Sequence, residues 1–120
     1  MCGIFASNDP YIKTKHKHII HKHLSFRGPD FNSGLIELNG WKLYHSRLAI
    51  IAPSKKYSQP YLCEDGSVIL YNGEIFNYKD LVLKYKEKFL PRTTCDTELL
   101  SWLLDQYSYE EVIQNIIDSM

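Results

Sequence analysis

Residues 33–51, SGLIELNGWKLYHSRLAII, carry the reading that decides the fold. Two runs with strand-like patterning, SGLIEL and WKLYHS, meet at Asn39-Gly40, a pair that readily takes up the positive φ angles of a type I′ turn, so the stretch predicts a β-hairpin. Residues 47–51 extend its second strand. Downstream, a loop containing Pro53 and Gln59-Pro60 leads to a second hairpin, with Asp65-Gly66 at the turn and SVILY as the returning strand. Upstream, CGIFA at residues 2–6 reads as a short buried strand that Asn8-Asp9-Pro10 ends. From Lys13 to about Phe26 the pattern is helical, with Ile19, Ile20 and Leu24 on one face, until Arg27-Gly28-Pro29-Asp30 breaks it. Asn77 is placed to cap a helix reaching about Lys88. Asp96-Thr97-Glu98 opens another, carrying Leu99, Leu100, Leu103 and Leu104, and a last helical stretch covers residues 109–117. Helices and strands that do not alternate regularly predict the α+β class.

With 120 residues and 44% apolar content the chain can bury one hydrophobic core, and one domain is expected. Acidic and basic residues balance at 14 each, which leaves no electrostatic footprint for nucleic acid or an anionic membrane surface. The longest apolar run, residues 48–52, is too short to span a bilayer, and no leader-like segment opens the chain, so a cytoplasmic location is expected. Cys2, Cys63 and Cys95 form neither a disulfide framework nor a CxxC metal knuckle.

Cys2 is chemically special. Once the initiator methionine is removed, its own amine is exposed beside its thiol, and an α-amino group titrates near about 7.7–8.0, against about 10.4 for a lysine. The nucleophile therefore carries its own base and can attack an amide carbon to form a thioester as ammonia leaves. The plain alternative is an ordinary buried cysteine.

The strings Met1-Cys2-Gly3-Ile4-Phe5, Arg27-Gly28-Pro29-Asp30, His45-Ser46-Arg47-Leu48-Ala49-Ile50, Gln59-Pro60, Tyr71-Asn72-Gly73-Glu74-Ile75-Phe76-Asn77 and Asp96-Thr97-Glu98 occur in this order. Together they resemble class II glutamine amidotransferases of the asparagine synthetase type. The resemblance implies an N-terminal-nucleophile hydrolase fold, an αββα sandwich of antiparallel sheets. Residues 1–120 would be the N-terminal part of that domain, incomplete by about a third, with the synthetase domain absent; an incomplete sheet would leave an unpaired edge and apolar face.

By the same resemblance Cys2 is the nucleophile, and the Asn72 side-chain amide and Gly73 N–H form the oxyanion hole. Arg47 pairs with the α-carboxylate of L-glutamine through two parallel guanidinium donors, and Leu48, Ala49, Ile50 and Ile51 continue the substrate-binding stretch. Asp96 and Glu74 receive the α-ammonium, while Arg27 to Asp30 serve as scaffold. Singly, each has a plainer reading: Arg47 as a surface strand residue, Asp96 as a helix cap, Asn72-Gly73 as a hairpin turn. Ala6, Phe26 and Cys95 depart from common family residues without touching a chemical role.

The family reaction passes ammonia to an acyl-adenylate, commonly β-aspartyl-AMP. The partner implied is thus a synthetase domain or subunit that uses ATP and magnesium, with no cofactor in this segment and a homodimer as one assembly open to it. Two rival readings stand beside this one. The first is an inactive remnant or glutamine-binding regulatory partner. The second is metal binding by His16, His18, His21 and His23, which helical geometry disfavours because His18 and His21 point nearly opposite to His16 and His23.

Overall fold

The computed structural model describes residues 2–49 and 58–118, which fall in two compact units, Met1–Asn72 and Gly73–Met120. Helices and antiparallel sheets both occur, so the α+β expectation holds at the level of class.

The first unit is organised around β4 (Trp41–Arg47), buried from Lys42 to Arg47. On one side it pairs with β1 (Gly3–Ser7) along its length, from Gly3 opposite Ser46 to Ser7 opposite Lys42. On the other side it pairs with β3 (Ile36–Leu38) and then β2 (Phe31–Asn32). Asn39 and Gly40 have φ of 50° and 79°, the positive angles their pairing demanded. The strand stops at Arg47, short of the expected Ile51: Leu48 and Ala49 leave the ladder, the Ala49 N–H turning to Asp30 Oδ2 at 2.7 Å. Ile50 and Ile51 lie outside the described residues. The second hairpin is shorter than SVILY suggests, with β5 (Tyr61–Leu62) against β6 (Val68–Ile69); Gly66, φ 86°, turns it, and Asp65 Oδ1 accepts the Ser67 N–H at 2.8 Å.

The two faces of β4 alternate in the strand period. Tyr44 and Ser46 meet α1 (Lys17–Leu24): the Ser46 hydroxyl donates to the Leu24 carbonyl at 2.7 Å, and the Tyr44 hydroxyl lies 2.8 Å from His21 Nδ1. α1 buries Ile20, while Ile19 is 58% exposed, which corrects the expected face. Adjacent helical residues diverge by about 100°, so Ile20 and Leu24, one turn apart, share the seam without Ile19. Beyond Trp41 and Leu43, a groove of about 430 Å³ is lined by Ala6, Val68 and Leu70 as well; no proposed site residue borders it.

The second unit packs α2 (Tyr78–Lys84), α3 (Asp96–Gln106) and α4 (Tyr109–Glu111), with α4 continuing as a wider π turn over Val112–Ile116. Its core holds Ile75, Leu81, Phe89, Leu99, Leu100, Leu103 and Val112. α2 ends at Lys84, four residues before the expected Lys88, because the backbone tightens into turns at Tyr85 and carries Phe89 inward against Trp102, ring centroids 5.3 Å apart. Asn77 sits at the start of α2 without capping it. Its carboxamide instead donates to the Ile116 carbonyl and accepts from the Asp118 N–H, both at 2.9 Å, tying the end of the π turn to the start of α2.

Candidate functional site

Cys2 immediately precedes β1, so the register that sets Gly3 opposite Ser46 fixes its position. Gly3 is required there: a Cβ would come within 2.5 Å of Ser46 Oγ and 2.9 Å of the Leu24 carbonyl. Two side chains hold Cys2 directly. Its backbone nitrogen donates to Asn72 Oδ1 at 2.9 Å, across 70 residues of sequence, and its carbonyl accepts from Arg27 Nε at 3.2 Å. With Oδ1 of Asn72 engaged, the Nδ2 end is the one that can donate to a substrate. Arg27, expected as scaffold, thus touches the proposed nucleophile.

Asn72 is positioned through its neighbour. The buried Gln59 carboxamide accepts the Tyr71 N–H at 2.5 Å and donates to the Tyr71 carbonyl at 2.9 Å, imitating one rung of a β-ladder. Arg47, at the end of β4, is buried, and its carbonyl accepts the Asp30 N–H at 3.1 Å. Gly28 makes that approach feasible, since it lies so close to the Ser46–Arg47 backbone that a Cβ has no room. His45 is 1% exposed, and among the described residues its Nε2 has no hydrogen-bond partner. Burial, with the Arg47 charge as a smaller contribution, lowers its pKa to about 4, so at neutral pH it is uncharged.

Gly73, Glu74 and Asp96 belong to the second unit, where Gly73 and Glu74 are exposed. Asp96 opens α3 and accepts the Ile75 N–H on Oδ2 at 3.1 Å, while its Oδ1 lies 3.9 Å from Cys95 Sγ. Burial first, then the like charge of Glu74, raises the Asp96 pKa against the pull of backbone N–H groups. Within this unit no ion pair among the described residues neutralises Asp96 or Glu74, an arrangement suited to an incoming cation. Among the described residues no three His, Cys, Asp or Glu side chains gather as metal ligands, and no helix is long and apolar enough to cross a membrane.

Three supporting contacts escaped sequence reasoning: Arg27 on Cys2, Gln59 on Tyr71, and Glu98 on Arg92 and Thr93. Arg27, Gln59 and Glu98 all stand in quoted motifs, but no local pattern reveals the contact that each makes.

Within the first unit, then, the nitrogen of the candidate nucleophile is held by an asparagine seventy residues away, and within the second an acidic side chain opens α3. The family model for the glutamine amidotransferase domain matches residues 1–117, and the chain belongs to that family. Among the relatives it resembles are asparagine synthetases described as glutamine-hydrolysing. Asparagine synthetase 2 of Lotus japonicus is 38% identical over all of this chain and 20% of its own length. Asparagine synthetase 1 of Arabidopsis thaliana is 36% identical over 93% of this chain, and the nodule enzyme of Pisum sativum 36% over all of it, each again over 20% of the relative. The chain thus spans about a fifth of the length of the relatives it matches.

Proposed function

We propose that this chain hydrolyses L-glutamine to glutamate and ammonia, as the glutaminase part of an asparagine synthetase-like enzyme. The observation that carries the reading is the 2.9 Å contact between the Cys2 nitrogen and Asn72 Oδ1. Removal of Met1 turns that nitrogen into an α-amine that Asn72 holds beside the thiol, where it takes the thiol proton as sulfur attacks the amide carbon. The Asn72 Nδ2 and Gly73 N–H stabilise the oxygen of the tetrahedral intermediate, ammonia departs on collapse, and water releases glutamate from the thioester. Arg47, with Leu48 to Ile51 continuing from it, takes the α-carboxylate, and Asp96 with Glu74 the α-ammonium, so that the zwitterion is held by its two charges with the amide at Cys2.

The fold that accompanies this chemistry is the N-terminal-nucleophile hydrolase sandwich, of which residues 1–120 form the first part. Ammonia passes to a synthetase domain or subunit that uses ATP and magnesium to amidate aspartate or a related acid, in the cytoplasm.

Glutamate release from glutamine is the test. We expect turnover that Cys2→Ala abolishes, together with covalent labelling of Cys2 by 6-diazo-5-oxo-norleucine. Labelling confined to Cys63 or Cys95 overturns the assignment, and glutamine binding without glutamate release favours a noncatalytic glutamine-binding partner.

A further inference from the structure

Asp96 and Glu98 are the first and third residues of α3. At about 100° per residue their side chains leave the helix on nearly opposite sides. Asp96 turns to the Ile75 N–H, while Glu98 folds back over the chain that leads into the helix. Its Oε1 accepts from the Arg92 N–H and from Arg92 Nε, both at 3.1 Å. Its Oε2 accepts from the Thr93 N–H at 2.9 Å and the Thr93 hydroxyl at 2.7 Å. The Thr93 Oγ1 in turn accepts the Cys95 N–H at 3.2 Å.

A helix start leaves its first N–H groups in need of partners, and Cys95, at the cap position of α3, supplies no side-chain cap. The relay from Glu98 through Thr93 satisfies one of these groups, the Cys95 N–H. It also fixes the residue immediately before Asp96. Glu98 is 5% exposed, so it is a buried charge that four donors compensate. The residue that follows this held backbone is Asp96.

We propose that Glu98 is a positioning residue for ammonium recognition: it holds residues 92–95 so that Asp96 Oδ1 is presented at one place and angle. The proposal rests on the reading of Asp96 as the acceptor of the glutamine α-ammonium. Oδ2 is held by Ile75 and the backbone at Cys95 is held by Thr93, so the carboxylate has little freedom to search for its ligand. Loosening the relay lets Asp96 sample other orientations and weakens the contact to the amine, with no effect on the carboxylate end of the substrate.

The test compares L-glutamine with glutaramate, which keeps the amide and the carboxylate and lacks the amine, using glutamate or glutarate release by the full chain. The ratio of the two kcat/KM values reports the ammonium contact alone. We expect Glu98→Gln to lower that ratio about tenfold through the KM for glutamine, and Thr93→Val, which is nearly isosteric, to lower it about threefold, with Thr93→Ser restoring the wild-type value. Equal losses on both substrates, or an unchanged ratio in Glu98→Gln and Thr93→Val, overturn the proposal. If Glu98→Gln does not fold, Thr93→Val and Thr93→Ser decide it. A wild-type chain that fails to prefer glutamine over glutaramate overturns the Asp96 reading itself, a result separable from a preference that the variants leave intact.

Discussion

At the scale of residues, His45 has a measurable signature. Its pKa falls from 6.5 to about 4 on folding because burial disfavours the imidazolium, and Arg47 adds to this by repulsion. As pH drops below about 6.5 the unfolded chain takes up a proton that the folded chain refuses, so stability declines with acidification until the folded pKa near 4 is reached. Denaturant midpoints measured between pH 7 and 4.5 are expected to fall, and to fall less in His45→Gln; an identical slope in the variant would show that the decline comes from carboxylates. The neutral ring also keeps a second positive charge from arising two residues before Arg47. Ordered motifs single out Cys2, Arg47, Asn72 and Asp96 as candidates, whereas the Nε2 of His45, without a partner among the described residues, and the Arg27 contact to Cys2 depend on strand register and loop closure, which leave no local pattern.

At the scale of elements, strand β4 does most of the positioning. It aligns Cys2 through β1, seats α1 through Ser46, and ends on Arg47. The Gly28 contact shows how close its neighbours come. Gly28→Ala is expected to destabilise the first unit by about 3 kcal/mol or more, since the added methyl meets fixed backbone and not a movable side chain, and a thermal melt checks this. A variant with wild-type stability would mean that the loop can shift away. The hairpin around Asn39-Gly40 was legible because turn chemistry is local. The early end of α2, the wider turn at Val112–Ile116 and the exposed Ile19 were not, because each follows from which side chain the surrounding core accepts: Phe89 against Trp102, Ile117 buried after the widened turn, and Ile20 in place of its neighbour. Asn77 shows the same limit, its cap-like position being spent on the far end of the π turn.

At the scale of the whole molecule, 14 acidic and 14 basic residues cancel and the isoelectric point is near 6.9. Repulsion between copies is therefore weakest at neutral pH. Light scattering of the chain is expected to show its greatest association near pH 7 and less on either side; a flat profile would point to apolar contacts, for which the groove beside Trp41 and Leu43 is the nearest surface. The tether between the Cys2 nitrogen and Asn72 also governs how the polypeptide should be produced. In the proposed mechanism, an affinity tag fused in front of the cysteine keeps that nitrogen an amide, able to hydrogen-bond yet unable to accept a proton, so such a preparation is expected to fold, melt normally and release no glutamate. A purification handle at the opposite terminus, or a leader that a protease trims flush to the cysteine, avoids mistaking a capped amine for a dead enzyme.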